Sequence, residues 1–241
     1  MRFFRGTRGF SVSEVILVAL VGLAGCGAAP VQSDIVPDTA QTRESVLGGM
    51  KAELDRSMKA MRLKDFEPPY FIAYALEQVE DVGVSGKYGA ITSNDASQSR
   101  TAYVEVRVGD YSFDNFANID GESFRMSDYQ PDRIAPLGDS PDAIRGTFWL
   151  LTDETYKKAV SDYLTKKGSS VYDTEDKTST PSFSKEPVVS YRAEISPLRV
   201  ERQEWEKQIK AVTGELLKQK HVLDSSMEVT ARRSVRYFVN S

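Results

Sequence analysis

The chain has almost none of the residues that bind metals or form covalent staples. Its 241 residues include one cysteine, Cys26, and one histidine, His221. An intrachain disulfide is therefore impossible, and the folded part must be held by its core. A zinc site of the usual kind needs three or four thiolates, imidazoles or carboxylates converging on one point. Here His221 is what remains once Cys26 is spoken for. Excess positive charge is lacking too: 31 Lys and Arg stand against 35 Asp and Glu, a net charge of −4. With no basic cluster, nucleic acid is not an expected partner. The apolar run Val15 to Ala24 has only about ten residues, half of what a bilayer-spanning helix needs.

That short run has the other marks of a secretory signal. Arg2, Arg5 and Arg8 precede it, Glu14 stands at its edge, and Leu23-Ala24-Gly25-Cys26 closes it. The closing tetrapeptide resembles a bacterial lipoprotein signal, in which the cysteine thiol becomes a thioether to lipid. An ordinary signal with an incidental cysteine is the plainer alternative. The expectation is a signal peptide over 1–25 and lipidation at Cys26. The protein would then be lipid-anchored in the bacterial cell envelope, and membrane would be a partner through that lipid. Gly27, rather than an acid, follows the cysteine, which by the same resemblance favours the outer membrane, facing the periplasm. Cleavage would leave about 216 residues with a charge near −6. Residues 26–41, small, polar and proline-containing, read as a flexible tether.

One α+β domain is expected over 42–241. Val46, Leu47, Met50, Leu54, Met58 and Met61 recur at spacings of three and four, predicting a helix from about Thr42 to Leu63. Pro68-Pro69 blocks its continuation. The period then changes. Tyr70–Leu76 reads as a buried strand, Val79–Thr92 as a strand with bends or a bulge, and Asn94–Ser97 as a turn. Ala102, Val104, Val106 and Val108 alternate with Tyr103, Glu105 and Arg107, and Tyr111–Phe116 would be a fourth strand. Residues 117–138 read as an acidic loop. Ser140, Pro141 and Asp142 mark a helix start, and Lys166, Lys167 and Gly168 its end, with Gly168 as a left-handed stop. Residues 168–187 form a polar connection. A third helix, Val200–Lys220, should bury Trp205, Ile209, Val212 and Leu216. A last strand alternates through Met227, Val229 and Ala231, then Val235, Tyr237 and Val239. It ends with no closing turn, as if the architecture continued. The whole implies an antiparallel sheet of five or so strands packed on one face by about three helices.

Four strings taken in order carry a family resemblance: Pro69-Tyr70-Phe71-Ile72-Ala73-Tyr74; Val104–Tyr111; Phe148–Asp153 with Tyr156-Lys157-Lys158; and Tyr237–Ser241. Over roughly residues 42–241 the chain resembles the N-terminal domain of TldD/PmbA-type metallopeptidases, the microcin-processing family. The resemblance implies an α+β domain that helps to enclose substrate, followed by a separate domain that carries zinc. The family signature is His-Glu-x-x-x-His, two imidazoles on one helical face holding Zn²⁺ and a glutamate activating its water. No such string is present. His221 is followed by Val-Leu-Asp-Ser-Ser, so no zinc ligand carries over to any position, and zinc is expected only in the missing domain.

Other chemistry is thinly represented. Asn115–Glu122 lacks the alternating acids of a calcium loop. Gly83, Gly86 and Gly89 have the wrong spacing for a dinucleotide turn. No Gly-x-Ser-x-Gly surrounds any serine. Tyr70, Phe71 and Tyr74 read as core, and Asp173–Lys177 as a solvated loop. No catalytic or metal residue is therefore assigned. The expected function is that of a non-catalytic lipoprotein binding an extended peptide, or pairing with a full-length or catalytic TldD/PmbA-type subunit, at an exposed sheet edge; its peptide-contacting residues are unassigned. A truncated subunit is within the same reading. The alternative is part of an active metalloprotease whose zinc-binding half is encoded separately or lost.

Overall fold

Thr39 opens the first helix by accepting the Thr42 amide on its hydroxyl at 3.1 Å. The structure, a computed structural model, describes residues 39–116, 132–170 and 181–241. Helix α1 spans Ala40–Ala60, a turn short of the expected Leu63. It buries Val46, Met50 and Leu54 as the spacing predicts, but also Glu53 and Ser57. Gly49 is where α1 meets the next helix. A Cβ there would lie 2.8 Å from the Pro141 carbonyl.

The strands are much longer than expected. β1 (Pro69–Lys87) and β2 (Ala90–Val108) have 19 residues each and pair antiparallel end to end. Their turn is Tyr88-Gly89, with φ of 53° and 78°. Two successive left-handed residues give the tight hairpin whose twist matches that of the strands it joins. Asn94–Ser97, expected as a turn, lies inside β2. Val79–Thr92, expected as one strand with bends or a bulge, is instead split between β1 and β2 by the Tyr88-Gly89 turn, and a bulge lies beside it: Ser85 faces Ser93 while Gly86 faces Ile91, leaving Thr92 over.

β3 (Asp132–Ile134) adds three residues to the outer side of β2, and β4 (Ser226–Asn240) runs along β1 with no register shift. The order is β3-β2-β1-β4, antiparallel throughout. Four strands are thus found among the described residues where about five were expected. Tyr111–Phe116, expected as a strand, is a bend attached by a lone bridge between Gly109 and Asp114.

Helix α2 spans Pro141–Ser170, with Ser140 accepting the Ala143 amide at 3.4 Å. It continues through Gly168, which takes no left-handed conformation. Helix α3 spans Arg202–Leu216. All three helices lie on one face of the sheet, as expected. Even-numbered residues of β1 and β2 (Ile72, Tyr74, Leu76, Val104, Val106) and odd-numbered ones of β4 (Val235, Tyr237) form the core beneath α1 and α2. α3 covers the same face near the hairpin turn. There a Cβ on Gly86 would lie 2.3 Å from Ile209. Its rotation differs from expectation: Ile209 and Thr213 are buried, whereas Val212 and Leu216 are exposed. The Thr213 hydroxyl accepts the Gly89 amide at 2.9 Å, and Gly214 comes against Gly89 backbone to backbone. A bulkier inward residue would push α3 off the turn.

Candidate functional site

Between the two helical patches the covered face of the sheet is polar. Gln78 and Arg100 are both 1% exposed. Arg100 donates to Gln78 at 2.8 Å and to the Pro136 and Gly138 carbonyls at 3.0 and 2.7 Å, fixing the loop that leads into α2. Glu80 accepts from Gln98 at 3.3 Å and from Arg233 of β4 at 3.0 Å, and Arg233 also reaches the Ser196 carbonyl. A buried charge is tolerable only when its hydrogen bonds are met in this way. This band is closed and fully engaged, so it organises loops rather than receiving a ligand.

A second charged cluster sits at the base of the hairpin. Asp114, fully buried, accepts from Arg107 at 2.7 Å, Tyr70 at 2.9 Å and the Phe116 amide at 2.9 Å. Arg107 also donates to Glu105 at 2.6 Å, and its guanidinium lies 3.9 Å from the centres of both the Phe116 and Phe183 rings. Phe183 packs edge-on against Phe71. Burial, and then the Asp114 carboxylate, push the Tyr70 phenol well above its usual range, so it remains a hydrogen-bond donor at any physiological pH. Burial lowers the Lys166 ammonium beside this cluster. The cluster clamps residues 110–116 and 181–183 onto the sheet.

The other face of the sheet is different. Among the described residues no helix covers it. Its distal half is a trough of about 390 Å³ floored by Gly83, Ser85, Ser93, Ser97 and Thr230, with Asp95 and Glu228 on its rim. Small side chains on three adjacent strands expose backbone and leave a concavity in the twisted sheet. Arg232 of β4 closes one side by a two-pronged ion pair to Asp81 of β1, at 2.6 and 3.1 Å. That hydrogen bonding holds the Asp81 carboxyl below its usual range. Beside the trough runs the outer edge of β4, with which no described strand pairs.

The sequence-level candidates fall outside these features. Cys26 and residues 117–131, which include most of the loop compared with a calcium site, lie outside the described residues; so does Asp173–Lys177. His221 is exposed in the turn after α3. Among the described residues no three His, Cys, Asp or Glu side chains are placed to hold a metal ion, and no helix is long and apolar enough to cross a membrane. Tyr74 and Phe71 are buried as expected, and Asn115 is structural, its side chain accepting the Val108 amide at 2.8 Å. The trough is hidden in the sequence because serines and glycines in a strand read as turns. Period-two small residues flanking the Tyr88-Gly89 turn were its signal.

No family model matches the sequence, and no curated protein matches it. Among solved structures the chain is similar to TldE from Thermococcus kodakarensis, at 12% identity and a TM-score of 0.38. The match covers 80% of this chain and 35% of that one, so the chain spans about a third of the length of its structural neighbour. The likeness is a distant one of fold, to a protein of the TldD/PmbA family.

Proposed function

We propose that the chain is an exported, lipid-anchored, non-catalytic module of the kind that forms the substrate-enclosing N-terminal part of TldD/PmbA metallopeptidases. It takes an extended peptide or a partner's strand on the outer edge of β4. The observation that carries this reading is the edge itself. It is 15 residues long and contains no proline, no glycine and no bulge. Edges without such guards are templates for another strand. The adjoining trough offers room for alternate side chains of whatever is added. The scarcity of histidine and cysteine supports binding without catalysis.

Which amides are free follows from one bond. The Ser241 amide donates to the Ile72 carbonyl, so odd-numbered amides of β4 face β1 and even-numbered ones face outward. Thr230→Pro removes an outward amide and spares the pairing with β1. At concentrations low enough to leave the chain monomeric, fluorescently labelled unfolded casein should bind it without being cleaved, and Thr230→Pro should weaken binding about tenfold, or 1.4 kcal/mol. Equal binding by both proteins, with the variant's circular dichroism unchanged, would refute a role for this edge.

The anchor is tested separately. In cells fed labelled palmitate the chain should take up label and Cys26→Ala should take up none. Label retained in the variant would remove the lipid from this account.

A further inference from the structure

We propose that the partner strand is β4 of a second copy, added antiparallel about a two-fold axis at Arg232. The inference rests on the reading of the β4 edge given above and names its occupant. The open-face side chains of β4 are Glu228, Thr230, Arg232, Ser234, Arg236 and Phe238. Glu228 and Arg236 lie eight residues apart with opposite charge. Arg236 stands opposite Glu77 of β1, whose carboxylate accepts the Ser234 hydroxyl at 2.7 Å, and Glu228 stands opposite Ser85; neither is held in an ion pair of the kind that Arg232 makes with Asp81. A strand that satisfies both must carry a base opposite Glu228 and an acid opposite Arg236. In antiparallel order β4 does so itself.

With the axis at Arg232, Glu228 stands opposite Arg236 of the second copy, twice. Thr230 stands opposite Ser234. On the helix side Val229 meets Val235 and Met227 meets Tyr237. Cross-strand pairs of these kinds, opposite charges, hydroxyls and branched or aromatic apolar groups, are the ones that favour pairing. The two Arg232 side chains oppose each other at the axis, but each is neutralised by its own Asp81. Neighbouring registers fare worse. An axis at Arg233 sets Glu228 against Phe238 and brings together two arginines that each lean on a buried Glu80. An axis at Ser234 sets Arg232 against Arg236. An axis at Ala231 leaves Glu228 against Ser234.

Because the even-numbered amides face outward, the hydrogen-bonded pairs of the joint would be Ser226 with Phe238, Glu228 with Arg236, Thr230 with Ser234 and Arg232 with itself. The product is a continuous eight-stranded sheet with both uncovered faces on one side, so the two troughs form one surface.

The test is sedimentation velocity of the full chain in mild detergent. The wild type should be a dimer at micromolar concentration. Glu228→Arg should raise the dimer dissociation constant at least about tenfold. Glu228→Arg with Arg236→Glu should restore it, since the swap exchanges the signs and keeps the pair. Thr230→Pro should be monomeric. A monomeric wild type, or a swap that fails to restore the dimer, overturns the proposal. A monomeric wild type whose casein binding is lost in Thr230→Pro overturns self-pairing and leaves edge binding standing. A dimer that takes no casein while monomeric Glu228→Arg takes it sustains both readings, whereas casein refused by that monomer too sustains self-pairing and overturns peptide capture.

Discussion

Asp114→Ala should lower the free energy of unfolding by about 3–5 kcal/mol, the usual consequence of breaking a buried ion pair from one side. Arg107 would keep its place between Phe116 and Phe183 without the carboxylate that neutralises it, and the Tyr70 hydroxyl would lose its acceptor. The cost is large because the Asp114 side chain is wholly inaccessible and its surroundings cannot relax toward water. Glu105 remains as a second partner of Arg107, so collapse should be incomplete. Urea unfolding followed by tyrosine fluorescence measures the effect. A loss under about 1 kcal/mol would mean that the cluster is solvated in solution, contrary to its burial here. Asp114→Asn retains the shape and an acceptor, and should fall between the two.

Gly109→Ala should cost roughly as much, by a different route. Gly109 has φ +106°, where a side chain is strained by about 1–3 kcal/mol. An added Cβ would also lie 2.3 Å from the Phe113 carbonyl oxygen and 2.7 Å from Tyr163. The first contact is with backbone, which gives way only if the bend at 110–113 opens, and overpacking of this kind adds about 1–3 kcal/mol. A midpoint loss in urea unfolding with an unchanged slope is expected. Wild-type stability in this variant would show that the bend is not the one described. Both substitutions act on the base of the hairpin, far from the trough, so they should affect edge binding only in proportion to the unfolded fraction.

The architecture was legible where burial alone decides. The alternation of Ala102, Val104, Val106 and Val108 gave the inward face of β2, and the stripe on α1 gave the packed side of that helix. Legibility failed where side chains face an uncovered sheet. Ser93, Asp95 and Ser97 need no apolar character on that face, so a strand segment looked like a turn, while the true turn carries a tyrosine at its first left-handed position. It failed again for α3. The apolar stripe through Val212 and Leu216 would bury more carbon, yet the helix turns Thr213 and Gly214 inward because the hairpin backbone comes too close for anything larger. Buried charges were invisible for a similar reason. Arg100, Glu53 and Asp114 look solvated in a linear sequence, and only the fold reveals carbonyls and cations gathered round them. The trough beside the β4 edge depends on three strands coming together, which no single segment shows.

On the proposed reading, binding falls at the β4 edge and no side chain is assigned chemistry. The most direct test of that claim is incubation of the purified full chain with unfolded casein and one equivalent of zinc, with and without chelator, while bound metal is counted after desalting. The account predicts no retained zinc and intact casein in both samples. Stoichiometric zinc with cleavage that the chelator abolishes would contradict it.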